Sequence, residues 1–172
     1  MILNNYIFLP YIPSILTLFT SIFLHAGIYH LLGNIVFTYI FADNIESILG
    51  HRMFLLYFLI CGAVGSLTQS ISNPNSVVPI IGASGAISGV MAGYMLMYPS
   101  AKIHVLAIGL IPITLPAVFV IGIYIINDVI NGFITLNKLG GGVAYFSHIG
   151  GFIAGIIQMI LFKKGKFYWL KS

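Results

Sequence analysis

Charged side chains are scarce in this sequence. Only 6% of its 172 residues are Asp, Glu, Lys or Arg, whereas soluble domains contain roughly 25%. Hydrophobic residues make up 59% of the chain, and the mean hydropathy is +1.07. A chain this apolar cannot cover itself with a polar surface. The composition therefore excludes an ordinary soluble domain and predicts that lipid surrounds the protein.

Acidic residues and cysteine are also rare. With three acidic residues and a single cysteine, Cys61, the chain cannot form an intramolecular disulfide and offers few ligands to a metal ion. We expect no metal site and no cofactor. The net charge of +4 comes from basic residues that are scattered and form no patch for nucleic acid. The lipid bilayer, and not nucleic acid, is the expected partner.

Long apolar stretches predict five transmembrane helices. The expected spans cover about residues 14–41, 53–67, 83–98, 103–126 and 143–162. Stretches of this length favour an all-α polytopic membrane bundle over a barrel of alternating strands. Pro112 and Pro116 are expected to kink the fourth span. Residues 127–142 are expected to form a polar link into the last span.

The basic residues orient these spans. One side of the membrane would carry six of the seven, namely Arg52, Lys102, Lys163, Lys164, Lys166 and Lys171. Only Lys138 falls on the other side, so the first side is predicted to be cytoplasmic. Since no repeat or linker divides the chain, we expect one membrane domain over residues 1–172. It would begin with a short segment at 1–13 and end in a basic cytoplasmic tail at 163–172.

Two stripes of small residues lie in the third and last spans. The stripes consist of Gly85, Gly89 and Gly93 in the third span and of Gly151 and Gly155 in the last. Small residues let two membrane helices approach backbone to backbone, so we expect the stripes to dock. Docking would bring Ser84, at the start of the third span, to the depth of His148, at the start of the last.

Polar residues within the spans are a second signal, because ionisable groups in a membrane are costly and usually functional. His25, His30 and His148 fall near the outer ends of their spans, and Asn34 shares a helix face with His30. Taken singly, each could simply bridge two helices. Together with Ser84 they supply a nucleophile, a base and polar donors, which are the groups that covalent catalysis requires.

Four sequence blocks follow one another along these spans. They are His25-x4-His30-x3-Asn34, Glu46-x3-Gly50-x-Arg52, Gly82-Ala83-Ser84-Gly85 and His148-x2-Gly151-x3-Gly155. The Gly-x-Ser-Gly block alone is weak evidence for any family, but the four blocks in this order are highly specific. On these blocks the chain resembles the rhomboid family of intramembrane serine proteases, from about Thr20 to Phe162.

The resemblance implies a role for each site residue. Ser84 would be the nucleophile and His148 the general base, a dyad without a carboxylate. His30 and Asn34, with the backbone N–H of Ser84, would form the oxyanion hole, and His25 would support the start of its helix. Structural support would also come from Gly82, Gly85, Gly151 and Gly155. The implied substrates are transmembrane segments of other membrane proteins, cleaved at an active site that opens to the extracytoplasmic side.

Three features depart from the family pattern. The first of the six family spans has no counterpart, because residues 1–13 are too short to cross a membrane. The loop that follows it in the family, often with a Trp-Arg pair, is absent or reduced. Ser88 stands four residues after the nucleophile, where the family often has a tyrosine beside the histidine. We expect the missing span to affect stability more than chemistry, since no dyad residue lies on it.

Other functions stay open at this point. A catalytically weak or inactive rhomboid-like protein that binds membrane clients would have the same architecture. A metal-dependent membrane protease would be expected to carry a His-Glu-x-x-His motif, and this sequence has none. A transporter or channel would show repeat symmetry, and the polar residues would line a path instead of clustering on one side.

Overall fold

The computed structural model describes residues 5–107, 111–136 and 142–165. Within these ranges the chain is mainly helical, with one β-hairpin. The elements are α1 (Ile15–Thr20), a 3-10 turn (Ser21–Phe23), α2 (Ile28–Leu49), α3 (His51–Ser72), α4 (Ser84–Met97), β1 (Lys102–Ala107), β2 (Ile111–Pro116), α5 (Ala117–Thr135) and α6 (Tyr145–Lys163). The predicted helical membrane bundle is confirmed. Lys138 and the tail residues 166–172, which entered the orientation prediction, lie outside the described residues.

Three of the described helices, α3, α5 and α6, are long and apolar enough to cross a membrane. A fourth span is possible if α1, the 3-10 turn and α2 are taken together across a bend of 86°. Helix α4 has 14 residues, which give a length of about 21 Å. The hydrocarbon core of a bilayer is roughly 30 Å thick, so α4 alone cannot reach both surfaces.

The first predicted span, 14–41, has the wrong bounds. The chain turns sharply after the 3-10 turn, and α2 continues to Leu49. The hydroxyl of Ser47 bonds to the carbonyl of Asp43 within the helix, at 2.8 Å, so these polar residues extend α2 instead of ending it. The helix ends at Gly50, whose positive φ of 81° is accessible to glycine. The second predicted span, 53–67, lies within the longer α3.

The fourth predicted span, 103–126, is wrong in its first half. Strand β1 pairs with β2 in an antiparallel hairpin, in which Leu106 lies opposite Pro112 and Lys102 opposite Pro116. Two prolines four residues apart would each remove a backbone hydrogen bond from a helix and clash with its preceding turn. The chain therefore starts α5 only at Ala117, directly after the second proline.

The predicted polar link, 127–142, is also wrong in its first part. Helix α5 continues through it as far as Thr135. The side chain of Asn131 bonds to the backbone and side-chain oxygens of Asn127, and Thr135 bonds to the backbone oxygen of Asn131. These local bonds satisfy the polar side chains within the helix, so their polarity does not end it.

Helix α4 is the centre of the bundle. Its residues 85–93 are buried without interruption, and it contacts α2, α3, α5 and α6. The two glycine stripes meet where α4 crosses α6. A Cβ built on Gly151 would collide with the carbonyl group of Gly85, and one built on Gly155 would collide with the carbonyl of Gly89. Only glycine permits this separation of the two helices.

Candidate active site

The closest polar contact between α4 and α6 joins Ser84 and His148. The Ser84 Oγ lies 2.8 Å from the Nε2 atom of His148, and the histidine is buried, with 7% of its surface exposed. Each residue stands at or near the beginning of its helix. The glycine crossing below them fixes the distance between the two helices, and this distance allows the hydrogen bond to form.

The turn before Ser84 depends on Gly82. This residue has a φ of 109°, which side-chain-bearing residues rarely adopt. Its N–H donates to the carbonyl of Ser21 at 3.0 Å, which ties the turn to the 3-10 turn after α1. A Cβ at this position would lie 2.6 Å from a carbon atom of the His30 ring. Gly82 thus gives the turn its shape and leaves room for the imidazole.

The side chains of His30 and Asn34 approach this turn from α2. With Ser84 they line a cavity of about 230 Å³, whose other walls include Phe37, Ile87 and Tyr124. The amide nitrogen of Asn34 donates to the carbonyl of His30 at 2.9 Å, which orients the buried amide. Ser84 is the first residue of α4, and the first N–H groups of a helix have no partner within it. These groups converge on one space beside the Ser84 hydroxyl.

His25 lies next to this group, just before α2. Its ring meets that of His30 edge to face, with 5.2 Å between the ring centroids. Within the described residues, its Nε2 is the one buried side-chain nitrogen or oxygen atom without a hydrogen-bond partner. The structure thus brings His25, His30, Asn34, Ser84 and His148 to one end of the bundle.

Two residues of α5 that the sequence analysis did not single out also contact His148. The Asp128 Oδ2 lies 3.0 Å from the Nδ1 atom of His148, and the Tyr124 hydroxyl lies 3.1 Å from the same atom. The Tyr124 ring stacks on the imidazole, with centroids 5.9 Å apart, and its hydroxyl lies 3.2 Å from Ser88 Oγ. A carboxylate does meet the histidine, contrary to the expectation of a dyad without one.

The sequence did hold a signal for these two residues. Asp128 is one of three acidic residues in the chain, and it follows Tyr124 by four positions, so both lie on one helix face. The signal was lost because the helix was predicted to end before Asp128.

Comparison with known proteins identifies the family. Residues 13–165 match the family model of the rhomboid domain. The chain belongs to the rhomboid family. Rhomboid membership and the apolar helices together make it a multi-pass membrane protein with a protease-like architecture.

Several curated rhomboid proteins are similar to this one. YdcA of Bacillus subtilis is 40% identical over 80 residues, covering 46% of this chain and 40% of YdcA. Rhomboid-like protease 3 of Toxoplasma gondii is 30% identical over 145 residues, covering 84% of this chain and 51% of that protein. Inactive rhomboid protein 1 of Drosophila melanogaster is 35% identical over 75 residues, covering 44% of this chain and 5% of that protein. The chain thus spans about half or less of the length of each of these relatives.

Proposed function

We propose that this rhomboid protein is an intramembrane serine endopeptidase that cleaves transmembrane segments of other membrane proteins. The hydrogen bond of 2.8 Å between Ser84 Oγ and His148 Nε2 is the observation that carries the proposal. It joins a nucleophile to a base at hydrogen-bonding distance, inside a bundle of apolar helices. The relatives named as proteases support the same class of reaction.

The reaction follows from this contact. The Nε2 atom of His148 accepts the hydroxyl proton as Ser84 Oγ attacks a peptide carbonyl carbon. The tetrahedral intermediate collapses, the amine leaves with the proton from Nε2, and the new carboxy-terminal end stays on Ser84 as an ester. Water then gives a proton to Nε2 and attacks the ester, which releases the acid and restores the Ser84 hydroxyl.

The negative oxygen of the intermediate needs hydrogen-bond donors that are already in place. His30, Asn34 and the N–H of Ser84 surround the cavity beside the nucleophile and would supply them. In serine proteases, loss of one such donor costs about 2.7–4 kcal/mol of transition-state stabilisation. We assign the oxyanion hole to these three groups.

The substrate class follows from the position of the site. A peptide carbonyl in an intact helix is hydrogen-bonded and closed to attack, so a substrate helix must unwind where it is cut. The cavity walls formed by Phe37, Ile87 and Tyr124 suit an apolar side chain of such an unwound segment. The described basic residues lie towards the end of the bundle opposite Ser84: Arg52 at the start of α3, Lys102 at the start of β1, and Lys163 and Lys164 at the end of α6. This distribution supports an active site facing the extracytoplasmic side and a cytoplasmic C-terminus.

The proposal is tested with purified protein in liposomes. The probe is a single-span fusion protein whose membrane helix contains glycine and proline near its outer end. We expect cleavage by the wild type and none by Ser84→Ala or His148→Ala, with thermal unfolding in detergent as a check that each variant is folded. Equal cleavage by the wild type and a folded Ser84→Ala variant would overturn the proposal.

The second candidate is a rhomboid protein that binds membrane clients without cutting them. The similarity to a Drosophila relative named as inactive favours it. Client binding does not require a hydrogen bond between Ser84 and His148, however. This chain has one, which favours the protease function. The client-binding function would be supported if the fusion protein co-purified with the wild type, uncut, and Ser84 did not react with a serine-directed phosphonate.

A further inference from the structure

The carboxylate of Asp128 is buried in an apolar helix. Asp128 is 3% exposed. The structure describes all three acidic residues of the chain, and Asp128 is the one that is buried. A carboxylate in such surroundings is costly unless another group compensates it. Asp128 Oδ2 meets that need by lying 3.0 Å from the Nδ1 atom of His148.

This contact decides which nitrogen of His148 carries the proton. A neutral imidazole has one N–H and one bare nitrogen. For Nε2 to take the proton of Ser84 it must be bare, so the ring proton must sit on Nδ1. An ionised carboxylate only accepts hydrogen bonds. Asp128 therefore favours the tautomer with the proton on Nδ1, which is the productive one.

The Tyr124 hydroxyl lies about as close to Nδ1 as the Asp128 carboxylate does, but it does not favour either tautomer of His148. Its hydroxyl lies 3.1 Å from Nδ1 and 3.2 Å from Ser88 Oγ. Because a hydroxyl both donates and accepts, Tyr124 can satisfy Nδ1 with or without its proton. Its stacked ring instead limits how the imidazole tilts. Of the two α5 residues, only Asp128 distinguishes the tautomers.

We propose that Asp128 is a positioning residue that completes a Ser84–His148–Asp128 group. It holds the ring with the proton on Nδ1 and stabilises the imidazolium that forms when Nε2 takes the serine proton. The Nδ1 proton stays on the ring, and Asp128 is not protonated in the step. The inference rests on the proposed function, because Asp128 acts only through His148.

The kinetic test uses a fluorophosphonate, whose phosphorus is attacked by Ser84 Oγ with loss of fluoride. The saturating rate constant and the half-saturating concentration are measured separately in detergent. In Asp128→Asn we expect the rate constant to fall more than about tenfold, since the same change in a serine protease triad costs roughly 10⁴-fold. The half-saturating concentration should stay the same. A general loss of folding would instead lower the fraction of protein labelled or raise that concentration, and it would leave the saturating rate constant unchanged. A smaller fall in the rate constant would overturn the proposal.

Two variants serve as controls for that measurement. Asp43→Asn makes the same chemical change at an exposed position of α2 and should react like the wild type. Tyr124→Phe removes the other partner of Nδ1 and keeps the carboxylate. Its saturating rate constant should therefore fall less than that of Asp128→Asn. If Tyr124→Phe loses more, tautomer control does not belong to Asp128.

A second measurement does not depend on the folding of any Asp128 variant. The protein is labelled with ¹⁵N at the histidine rings, and the signals of neutral His148 are assigned by their absence from His148→Gln. We expect a protonated Nδ1 and a bare Nε2 in the wild type, and the opposite tautomer would overturn the proposal. If the wild type shows this tautomer but does not react with the fluorophosphonate, the proposed protease function fails and the role of Asp128 in setting the tautomer stands.

Discussion

The glycine crossing of α4 and α6 predicts the effect of adding one methyl group. In Gly151→Ala, the new Cβ would lie 2.7 Å from the carbonyl carbon of Gly85. Ordinary contacts between carbon atoms are about 3.5 Å, so the helices would have to separate by at least about 0.8 Å, since the carbonyl oxygen of Gly85 lies nearer still. The obstructing atoms belong to the backbone and cannot rotate away as the end of a side chain could.

The separation would act directly on the catalytic contact. Ser84 precedes Gly85 on α4 and moves with it, so its hydrogen bond of 2.8 Å to His148 would lengthen. A rigid shift along this bond would give at least about 3.6 Å, which is beyond hydrogen-bond range. Misplacement of reacting groups by about 1 Å can cost 10²-fold in rate. Overpacking should also destabilise the fold by about 1–3 kcal/mol.

The assay compares cleavage rate and thermal unfolding with those of Gly122→Ala. A Cβ built on Gly122, in α5, meets no atom within 4 Å. That variant should keep its activity and unfold at the same or a higher temperature, because alanine is the better helix former by about 1 kcal/mol. If folded Gly151→Ala cleaves within threefold of the wild type, the close crossing does not set the distance between Ser84 and His148.

Two further variants test the oxyanion donors and the core. Asn34→Ala should lower the rate of cleavage about 10²–10³-fold, as loss of an oxyanion donor does elsewhere, and unchanged cleavage would remove Asn34 from the site. Tyr57→Phe removes a hydroxyl that donates to the carbonyl of Gly89 at 2.5 Å. It should lower the free energy of unfolding by about 1 kcal/mol with little change in cleavage, and an unchanged unfolding temperature would show that this bond adds no stability.

The sequence allowed prediction of the features that depend on local pattern. Hydropathy predicts the membrane bundle. The crossing of α4 and α6 is predicted by the spacing of their glycines, namely Gly85, Gly89, Gly151 and Gly155. The small residues next to Ser84 and His148 imply a close approach of their helices, and this predicts that the two side chains meet. Of the five predicted spans, the third (83–98) and the last (143–162) have the bounds nearest to those of the observed helices, α4 and α6.

The failures have physical causes as well. Pro112 and Pro116 predict kinks in one long helix, whereas both lie in a hairpin strand that precedes α5. The polar residues after position 126 predict a link between helices, although the Asn131 side chain finds its hydrogen bond within α5. That error placed Asp128 outside α5. No local pattern could show that its carboxylate reaches the ring of a histidine twenty residues later.

The most direct test of Ser84 as the nucleophile is to find where a fluorophosphonate reacts with the wild-type protein in intact membranes. After proteolysis, mass spectrometry of the peptides identifies the modified residue. We expect a single adduct on Ser84 that disappears in His148→Ala. A folded wild-type protein that carries no adduct on Ser84, or a His148→Ala variant that is modified as fast as the wild type, would contradict it.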